Sequence, residues 1–167
     1  MSKSREMLAE AFAGEAQANR RYLAFARKAE EDGFPHIAKI LRAAAHAETI
    51  HAHNHLRAMK AVGSTVENME AAINGETYEF ESMYPEMMSA AKEEGDQEAY
   101  KSFFYANEVE KMHAEIFKMA LASAGAGKDA ASREIHVCPV CGCTVEGEAP
   151  ETCPVCGRPG SAFTRID

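Results

Sequence analysis

Glu48-Thr-Ile-His51 and Glu110-Lys-Met-His113 decide the fold of this chain, because both are copies of Glu-x-x-His inside strongly helical sequence. Residues three apart lie on one face of an α-helix, so each copy directs a carboxylate and an imidazole to the same place. A four-helix bundle that holds two metal ions needs two such helices, with one glutamate from each of the other two. We therefore predict a mainly α-helical four-helix bundle with a dinuclear metal site in its core.

The other two predicted helices supply the remaining carboxylates. Glu15 lies among small residues in the first helix, and Tyr22 follows almost two turns later, where its hydroxyl can donate to a ligand carboxylate. Glu76 and Glu79 lie in the third helix, with Tyr84 further along roughly the same face. Six ligands complete a carboxylate-bridged pair of metals, so Glu79 is a seventh.

The chemistry of these ligands narrows the choice of metal. An apolar bundle core does not accept carboxylates unless they are paired or bound to metal. Sites rich in carboxylate with two imidazoles favour iron or manganese over zinc when the pair does redox work. His55 lies one turn beyond His51 on the same stripe, so a role for it as a further ligand stays open.

Helical spacing of apolar residues predicts four helices, over about residues 4–31, 35–62, 75–94 and 96–123. The connection between the second and third helices is then long, although Val66, Met69 and Ile73 within it also keep helical spacing, so a partly helical connection stays open. A long connection is typical of ferritin-like topology and not of an up-down-up-down bundle. Pro85 falls inside the third helix, where we expect it to remove a backbone hydrogen bond and bend the helix.

The end of the chain carries a second metal site of different chemistry. Its ligands form two Cys-Pro-Val-Cys pairs: Cys138, Cys141, Cys153 and Cys156. Four thiolates suit tetrahedral iron or zinc, and the spacing does not decide between them. Cys143 is left over, as a free thiol beside the site or as an alternate ligand.

The predicted domains are 1–124 for the bundle, 125–134 for a flexible linker and 135–167 for the four-cysteine module.

The composition of the chain limits which partners it can bind and which cellular compartment suits it. With 167 residues and a net charge of -8, the chain lacks the basic surface that nucleic acid or an anionic membrane requires. No apolar run has the length of a membrane span, and the first residues lack the apolar core of a secretory signal. Cysteines clustered in Cys-x-x-Cys pairs indicate a metal site and not a disulfide framework. We therefore expect a cytoplasmic protein.

These residues resemble the rubrerythrin family over essentially the whole chain. The matching motifs, in chain order, are Ala-Phe-Ala-Gly-Glu15 with Tyr22, Glu48-x-x-His51, Gly75-Glu76-Thr-Tyr-Glu79 with Met83-Tyr84-Pro85, Glu110-x-x-His113, and two Cys-Pro-Val-Cys-Gly knuckles. Gly-Glu-x-x-Glu followed by Met-Tyr-Pro is specific, because ordinary ferritins and bacterioferritins lack this extra glutamate. The chain departs from the pattern at Cys143, where an aromatic residue usually follows the knuckle glycine, and in a slightly shorter gap between the knuckles.

The resemblance implies a ferritin-like di-iron domain followed by a rubredoxin-like domain, with two irons in the bundle and one on the cysteines. It implies a peroxidase that reduces hydrogen peroxide to water. Electrons would enter through the rubredoxin-like iron from a separate NAD(P)H-dependent reductase or a small redox protein. It also implies that Glu79 and His51 alternate as ligands of one iron, and that Tyr22 and Tyr84 donate hydrogen bonds to ligand carboxylates.

We also expect a head-to-tail homodimer. His113 lies about 15 Å before the predicted helix end at Ser123, and the cysteine module comes after that end. The cysteine site should then be far from the di-iron centre of its own chain and close to that of its partner, as the resemblance also implies. Two other functions stay open: iron oxidation or storage, and a bundle with a structural zinc knuckle.

Overall fold

The computed structural model describes residues 2–167 and is mainly helical. Its helices are α1 (Lys3–Glu31), α2 (Pro35–Met59), α3 (Thr65–Tyr78), a π-helical turn (Glu79–Met83), α4 (Tyr84–Glu94) and α5 (Gln97–Gly125). The last part of the chain forms a three-stranded antiparallel sheet, with β1 (Ile135–Val137), β2 (Thr144–Glu146) and β3 (Thr164–Ile166) in the order β2-β1-β3. The chain divides after Gly63 into two compact units, an N-terminal unit of α1 and α2 and a C-terminal unit of α3–α5 and the sheet.

The N-terminal unit is a hairpin of two long helices. Gly33, at φ 82°, takes the left-handed conformation that closes the turn between them, and Pro35 begins α2. The residues buried between the helices are small: Asn19, Ala26, Ala38, Ala45 and Ala52. Asn19 donates hydrogen bonds to the Ala45 carbonyl oxygen at 2.6 Å and to Thr49 Oγ1 at 2.8 Å, which fixes the register of α1 on α2.

The connection between α2 and α3 is shorter than the predicted one, because most of the predicted connection is helical, as the spacing of Val66, Met69 and Ile73 allowed. Helix α2 ends at Met59, because Lys60 adopts a left-handed conformation with φ 53° and ψ 43°. Ser64 and Glu67 then form a capping box that starts α3 at Thr65. The Ser64 backbone N–H donates to Glu67 Oε2 at 2.7 Å, while the Glu67 N–H donates to Ser64 Oγ at 3.3 Å.

The helical irregularity expected at Pro85 lies one turn earlier. Pro85 stands in the first turn of α4, where a missing N–H is tolerated. In the π-helical turn before it, the Tyr84 N–H reaches back to the Glu79 carbonyl oxygen. A single π-helical turn inserts a residue into the helix and rotates the later side chains by about 100° around the axis. Glu79 is its first residue, so the turn changes which side chains share a face with this carboxylate.

The C-terminal unit joins α3–α5 to the sheet module through one hydrophobic cluster. Val109 of α5 is 2% exposed and packs with Cys138, Cys143 and Cys153 of the module. The module therefore rests directly on α5. No helix within residues 2–167 combines the length and the apolar character that crossing a bilayer requires.

Candidate metal centres

Three of the predicted ligands meet in the N-terminal unit. Helix α2 presents Glu48 and His51 on one face, and His51 Nδ1 lies 2.8 Å from Glu48 Oε2. Helix α1 brings Glu15 opposite them, with its Oε1 3.7 Å from the same Nδ1. The Glu48 side chain is 17% exposed whereas His51 is 52% exposed, so this N-terminal triad is accessible from one side.

The same arrangement occurs a second time in the C-terminal unit. His113 Nδ1 lies 2.7 Å from Glu110 Oε2 on α5 and 3.9 Å from Glu76 Oε1 on α3. The three side chains are between 16% and 27% exposed. In both triads a histidine directs Nδ1 at the carboxylate three residues before it and at a glutamate from another helix. Each unit thus holds three potential ligands for a metal ion.

Glu79 and Tyr84 lie beside the C-terminal triad without joining it. Burial, and then the negative charge of Glu76, raises the pKa of Glu79 above its usual range. Burial, followed by the charges of Glu79, Glu110 and Glu76, also raises the pKa of Tyr84, so its hydroxyl keeps its proton. Glu79 is therefore close enough to act on this triad electrostatically, and Tyr84 is a proton-bearing hydroxyl next to three carboxylates.

Four predicted or possible participants are not in the triads. Within residues 2–167, neither Glu79 nor His55 belongs to a group of three potential ligands. Tyr22 and Tyr84 are half-buried, and among the described residues neither donates a hydrogen bond to a ligand carboxylate. The tyrosine hydrogen bonds and the ligand exchange by Glu79 remain predictions.

The four cysteines of the two knuckles converge on one point. Cys138 Sγ lies 3.6 Å from Cys156 Sγ, and Cys141 Sγ lies 3.6 Å from Cys153 Sγ, without disulfide bonds. A tetrahedral metal bound by four sulfurs at about 2.3 Å requires sulfur–sulfur separations of about 3.8 Å. The sulfur atoms are therefore already placed for a tetrahedral ion.

The two knuckles repeat one backbone pattern. The Gly142 N–H donates to the Cys138 carbonyl oxygen at 2.9 Å, and the Gly157 N–H donates to that of Cys153 at 3.0 Å. Both glycines have positive φ, 83° and 75°, a conformation that disfavours side chains.

The thiol of Cys153 has a pKa below the usual range for cysteine, so it ionises readily. Burial raises its pKa, but hydrogen bonds from the backbone N–H groups of Cys156 and Val155, together with those from the Cys141 and Cys156 side chains, outweigh burial and lower the pKa to about 6. A thiolate held in this way is a metal ligand in its reactive form.

Cys143 is not part of the four-sulfur group. It is completely buried, and its thiol donates to Met112 Sδ on α5 at 3.8 Å. Burial raises the pKa of Cys143 to about 12, so its thiol stays protonated. Its position fits the prediction of a free thiol beside the site.

The cysteine module lies beside the α5 ligands of its own chain, so the expectation that the two would be far apart was wrong. His113 Nε2 is 3.0 Å from Thr144 Oγ1, and Thr144 directly succeeds Cys143 in the module. The linker returns along α5, where Ala130 and Arg133 line the same surface depression as Met119. The expectation from helix length was wrong because it assumed that the chain continues in the direction of α5 after the helix ends, whereas the linker turns back.

Thr144 is a site residue that sequence reasoning missed. Its hydroxyl lies between the outer nitrogen of His113 and the Gly142 carbonyl oxygen, to which it donates at 2.9 Å. A metal ion bound at Nδ1 would leave the proton of the neutral His113 imidazole on Nε2, from which it would donate to Thr144 Oγ1. A second-sphere partner of this kind fixes the orientation of a ligand histidine. No motif singles out this threonine, since the contact joins residues far apart in the sequence.

The donor sets of the two kinds of site suit different metals. The triads offer carboxylate oxygen and imidazole nitrogen, which suit iron, and the module offers four sulfurs, which suit iron or zinc. Burial, and then repulsion from Glu110, raises the pKa of Glu76. Half-buried carboxylates that repel one another in this way are stabilised by a bound cation. The residues therefore fit a di-iron centre and a four-thiolate iron site.

Comparison with known proteins agrees with this assignment. The family profile described as Rubrerythrin matches residues 6–121, and the profile described as Rubrerythrin, rubredoxin-like domain matches residues 136–164. Rubrerythrin-2 of Clostridium acetobutylicum is 38% identical, with 91% of this chain and 90% of the relative covered. Nigerythrin of Nitratidesulfovibrio vulgaris is 35% identical, with 95% and 84% covered.

Solved structures show the same likeness. The structure described as the fully reduced, all-ferrous state of nigerythrin matches 99% of this chain and 88% of its own, with a TM-score of 0.59 and 33% identity. The predicted fold class, ferritin-like helices followed by a rubredoxin-like module, and the predicted iron cofactors are thereby confirmed.

Proposed function

Because this chain belongs to the rubrerythrin family of di-iron oxidoreductases, we propose that it is a peroxidase that reduces hydrogen peroxide to water as a defence against oxidative stress. Two ferrous ions held by the triads would supply the two electrons that, with two protons, convert one hydrogen peroxide molecule into two waters. The four-cysteine site would receive electrons from a separate donor and return the helical site to its reduced state.

The observation that carries this proposal is the contact between the two kinds of site. Thr144 Oγ1 of the cysteine module lies within hydrogen-bond distance, 3.0 Å, of His113 Nε2 in the C-terminal triad. Val109, one residue before Glu110, packs on three of the module cysteines. An iron-storage protein has no use for a thiolate site in this position, and a structural zinc knuckle needs no hydrogen bond to a metal-ligating histidine. A module that delivers electrons to the triad needs this proximity.

The residues around the C-terminal triad have distinct roles in this proposal. Glu79 is a seventh carboxylate or imidazole group, in addition to the six members of the two triads. We assign to it the role of alternating with His51 as a ligand of one metal ion when the oxidation state of that ion changes. Tyr84 keeps its proton among three carboxylates, because burial and their charges raise its pKa. Its hydroxyl can then orient a ligand carboxylate or peroxide, and Tyr22 would do the same beside Glu15.

The proposed partners are those that this chemistry requires. The electron donor is an NAD(P)H-dependent reductase, acting directly or through a small redox protein, which would dock near the four-cysteine module. The working unit is a homodimer. A reducing compartment such as the cytoplasm suits five cysteines that form no disulfide bond.

Metal content and colour test this proposal together. Protein loaded with iron should contain three metal ions per chain, and its oxidised form should be red because ferric iron bound by four thiolates absorbs visible light. Adding hydrogen peroxide to the reduced protein should restore the red colour with one peroxide consumed for each electron pair. Iron-loaded protein that carries all its metals yet leaves peroxide unconsumed would contradict the peroxidase assignment. A colourless, zinc-bound module would remove the internal electron route.

A further inference from the structure

A cavity of about 330 Å³ lies in the groove between α1 and α2, entirely within the N-terminal unit. Thr49 and His53 line it, and each is two residues from His51, so both lie about 160° around α2 from that triad member. Arg20, on the α1 wall, is about 140° around its helix from Glu15. The cavity therefore opens on the other side of the hairpin from these two triad residues, and a molecule in it need not compete with a metal ion for them.

One end of the cavity contains a buried acceptor without a donor. Asn19 is 7% exposed, and its Oδ1 has no hydrogen-bond partner among residues 2–167. The orientation of the amide is fixed, because Nδ2 donates to the Ala45 carbonyl oxygen at 2.6 Å and to Thr49 Oγ1 at 2.8 Å. Rotating the amide would set its oxygen against that carbonyl. A buried acceptor without a partner is unfavourable, so Oδ1 requires a donor from a molecule in the cavity that Asn19 lines.

The same end of the cavity carries an unpaired positive charge. The side chain of Arg20 is exposed and forms no ion pair with the described residues. Among the described residues that line the cavity, Glu48 alone has a carboxylate, and His51 Nδ1 lies 2.8 Å from it. A guanidinium binds a carboxylate strongly, through two parallel N–H donors. A ligand at this end of the cavity would therefore carry an anionic group beside a hydrogen-bond donor.

The other end of the cavity is apolar. Phe12 lies about two turns before Asn19 on α1, and Leu56 lies about two turns after Thr49 on α2, so the two side chains are at the same end of the hairpin groove. From Arg20 to Phe12 the helix advances about 12 Å, at about 1.5 Å per residue. The cavity thus offers a polar end and an apolar end that are separated by the length of a short alkyl chain.

We propose that this cavity binds a small amphipathic acid. Its carboxylate would pair with Arg20, its hydroxyl would donate to Asn19 Oδ1, and its alkyl chain would lie between Phe12 and Leu56. A 2-hydroxy acid with a chain of medium length carries these groups in this order. The site is independent of the proposed peroxidase function, since it uses none of the open side of the triad.

Isothermal titration calorimetry on the full-length, iron-loaded protein tests the site with three matched probes, each below the concentration at which it forms micelles. 2-Hydroxyoctanoate should bind saturably, with one molecule per chain. Octanoate lacks the hydroxyl and leaves Asn19 Oδ1 unpaired, so it should bind about tenfold more weakly. 1,2-Octanediol lacks the charge that pairs with Arg20, so it should also bind about tenfold more weakly.

Variants locate the binding. Arg20→Gln should weaken 2-hydroxyoctanoate about tenfold and leave 1,2-octanediol unchanged. Arg21→Gln is the matched control, because Arg21 is exposed and hydrogen-bonds to Gln17 outside the cavity. Ala16→Leu should fill the cavity and abolish binding of all three probes, while helix content and iron content stay at wild-type values.

Three results would overturn the proposal: no saturable binding of 2-hydroxyoctanoate, equal binding to wild type and Ala16→Leu, or an unchanged affinity in Arg20→Gln. Equal affinity for 2-hydroxyoctanoate and octanoate would overturn the assignment of a hydroxyl to Asn19. Loss of binding in Ala16→Leu and Arg20→Gln, with Arg21→Gln unaffected, would support the site whether or not the protein reduces peroxide.

Discussion

His113 Nε2 and Thr144 Oγ1 are 3.0 Å apart, which links the histidine of the C-terminal triad directly to the module that holds four cysteines. Thr144 in turn donates to the Gly142 carbonyl oxygen, and Gly142 is the next residue after the cysteine ligand Cys141. Hydrogen bonds therefore connect the two sites within the C-terminal unit. Under the proposed function, this link would give the reducing electron a short path from the sulfur ligands to the histidine.

Thr144→Val should slow electron transfer without removing metal. Valine keeps the shape of threonine but cannot hydrogen-bond to His113, and loss of such a partner of a ligand histidine typically costs about 10–100-fold in activity or metal affinity. The measurement is the rate at which reduced protein turns red after hydrogen peroxide is added. Thr144→Ser should restore most of the rate because it keeps the hydroxyl, and Thr164→Val, at an exposed position in β3, is the control. A wild-type rate in Thr144→Val would show that this hydrogen bond carries no transfer.

Glu79→Ala should separate metal binding from turnover. Glu79 stands outside both triads, so the variant should retain its helical iron but reduce peroxide at least about tenfold more slowly. Glu48→Ala removes a triad member and should lose iron. Iron content and the rate of peroxide consumption are measured side by side, with exposed Glu81→Ala as the matched control. Full activity in Glu79→Ala would exclude a part for Glu79 in ligand exchange.

Cys143→Ala should leave the four-thiolate site loaded. Cys143 is buried against Met112 with its thiol protonated, because burial raises its pKa to about 12. The variant should keep one metal on the module and lose about 1 kcal/mol of stability through the lost packing. Cys138→Ala, by contrast, should lose that metal. If Cys143→Ala empties the module, Cys143 is a ligand after all.

The capping box at the start of α3 should make stability depend on pH. Hydrogen bonds from the backbone and the side chain of Ser64 lower the pKa of Glu67 in the folded state. Its stabilisation is therefore present above the pKa of the unfolded chain and is lost as pH falls through the lower, folded value. In metal-free protein, urea unfolding should show Glu67→Gln less stable than wild type at pH 7, with the difference vanishing in acid. Glu70→Gln, on the exposed side of α3, should show no such change. If the difference in unfolding free energy between the two proteins stays the same down to acid pH, the charge of Glu67 does not contribute to the stability of the capping box.

Sequence spacing was sufficient to predict which potential ligands meet within a single helix or knuckle. Glu48 with His51 and Glu110 with His113 are brought together by three-residue spacing alone, and the knuckles by Cys-x-x-Cys. The contact of His113 with Thr144 could not be predicted, because it depends on a linker that reverses direction after α5. The start of α3 was missed although its signal is local.

That local signal, Ser64-x-x-Glu67, was in the sequence as a capping box. The helix boundaries predicted from spacing left residues 63–74 outside the helices, whereas the capping box correctly marks the start of α3 at Thr65. The π-helical turn at Glu79 is different, because its position depends on how the helix accommodates Pro85 and is not set by spacing.

The packing of Val109 on Cys138, Cys143 and Cys153 makes the cysteine module part of the unit that holds Glu110 and His113. A metal bound by the four cysteines stabilises the folded module, because the unfolded chain offers no such site. Loss of that metal should accordingly loosen α5 at Glu110 and His113, so that damage to the sulfur site is also felt as weaker metal binding by the carboxylates.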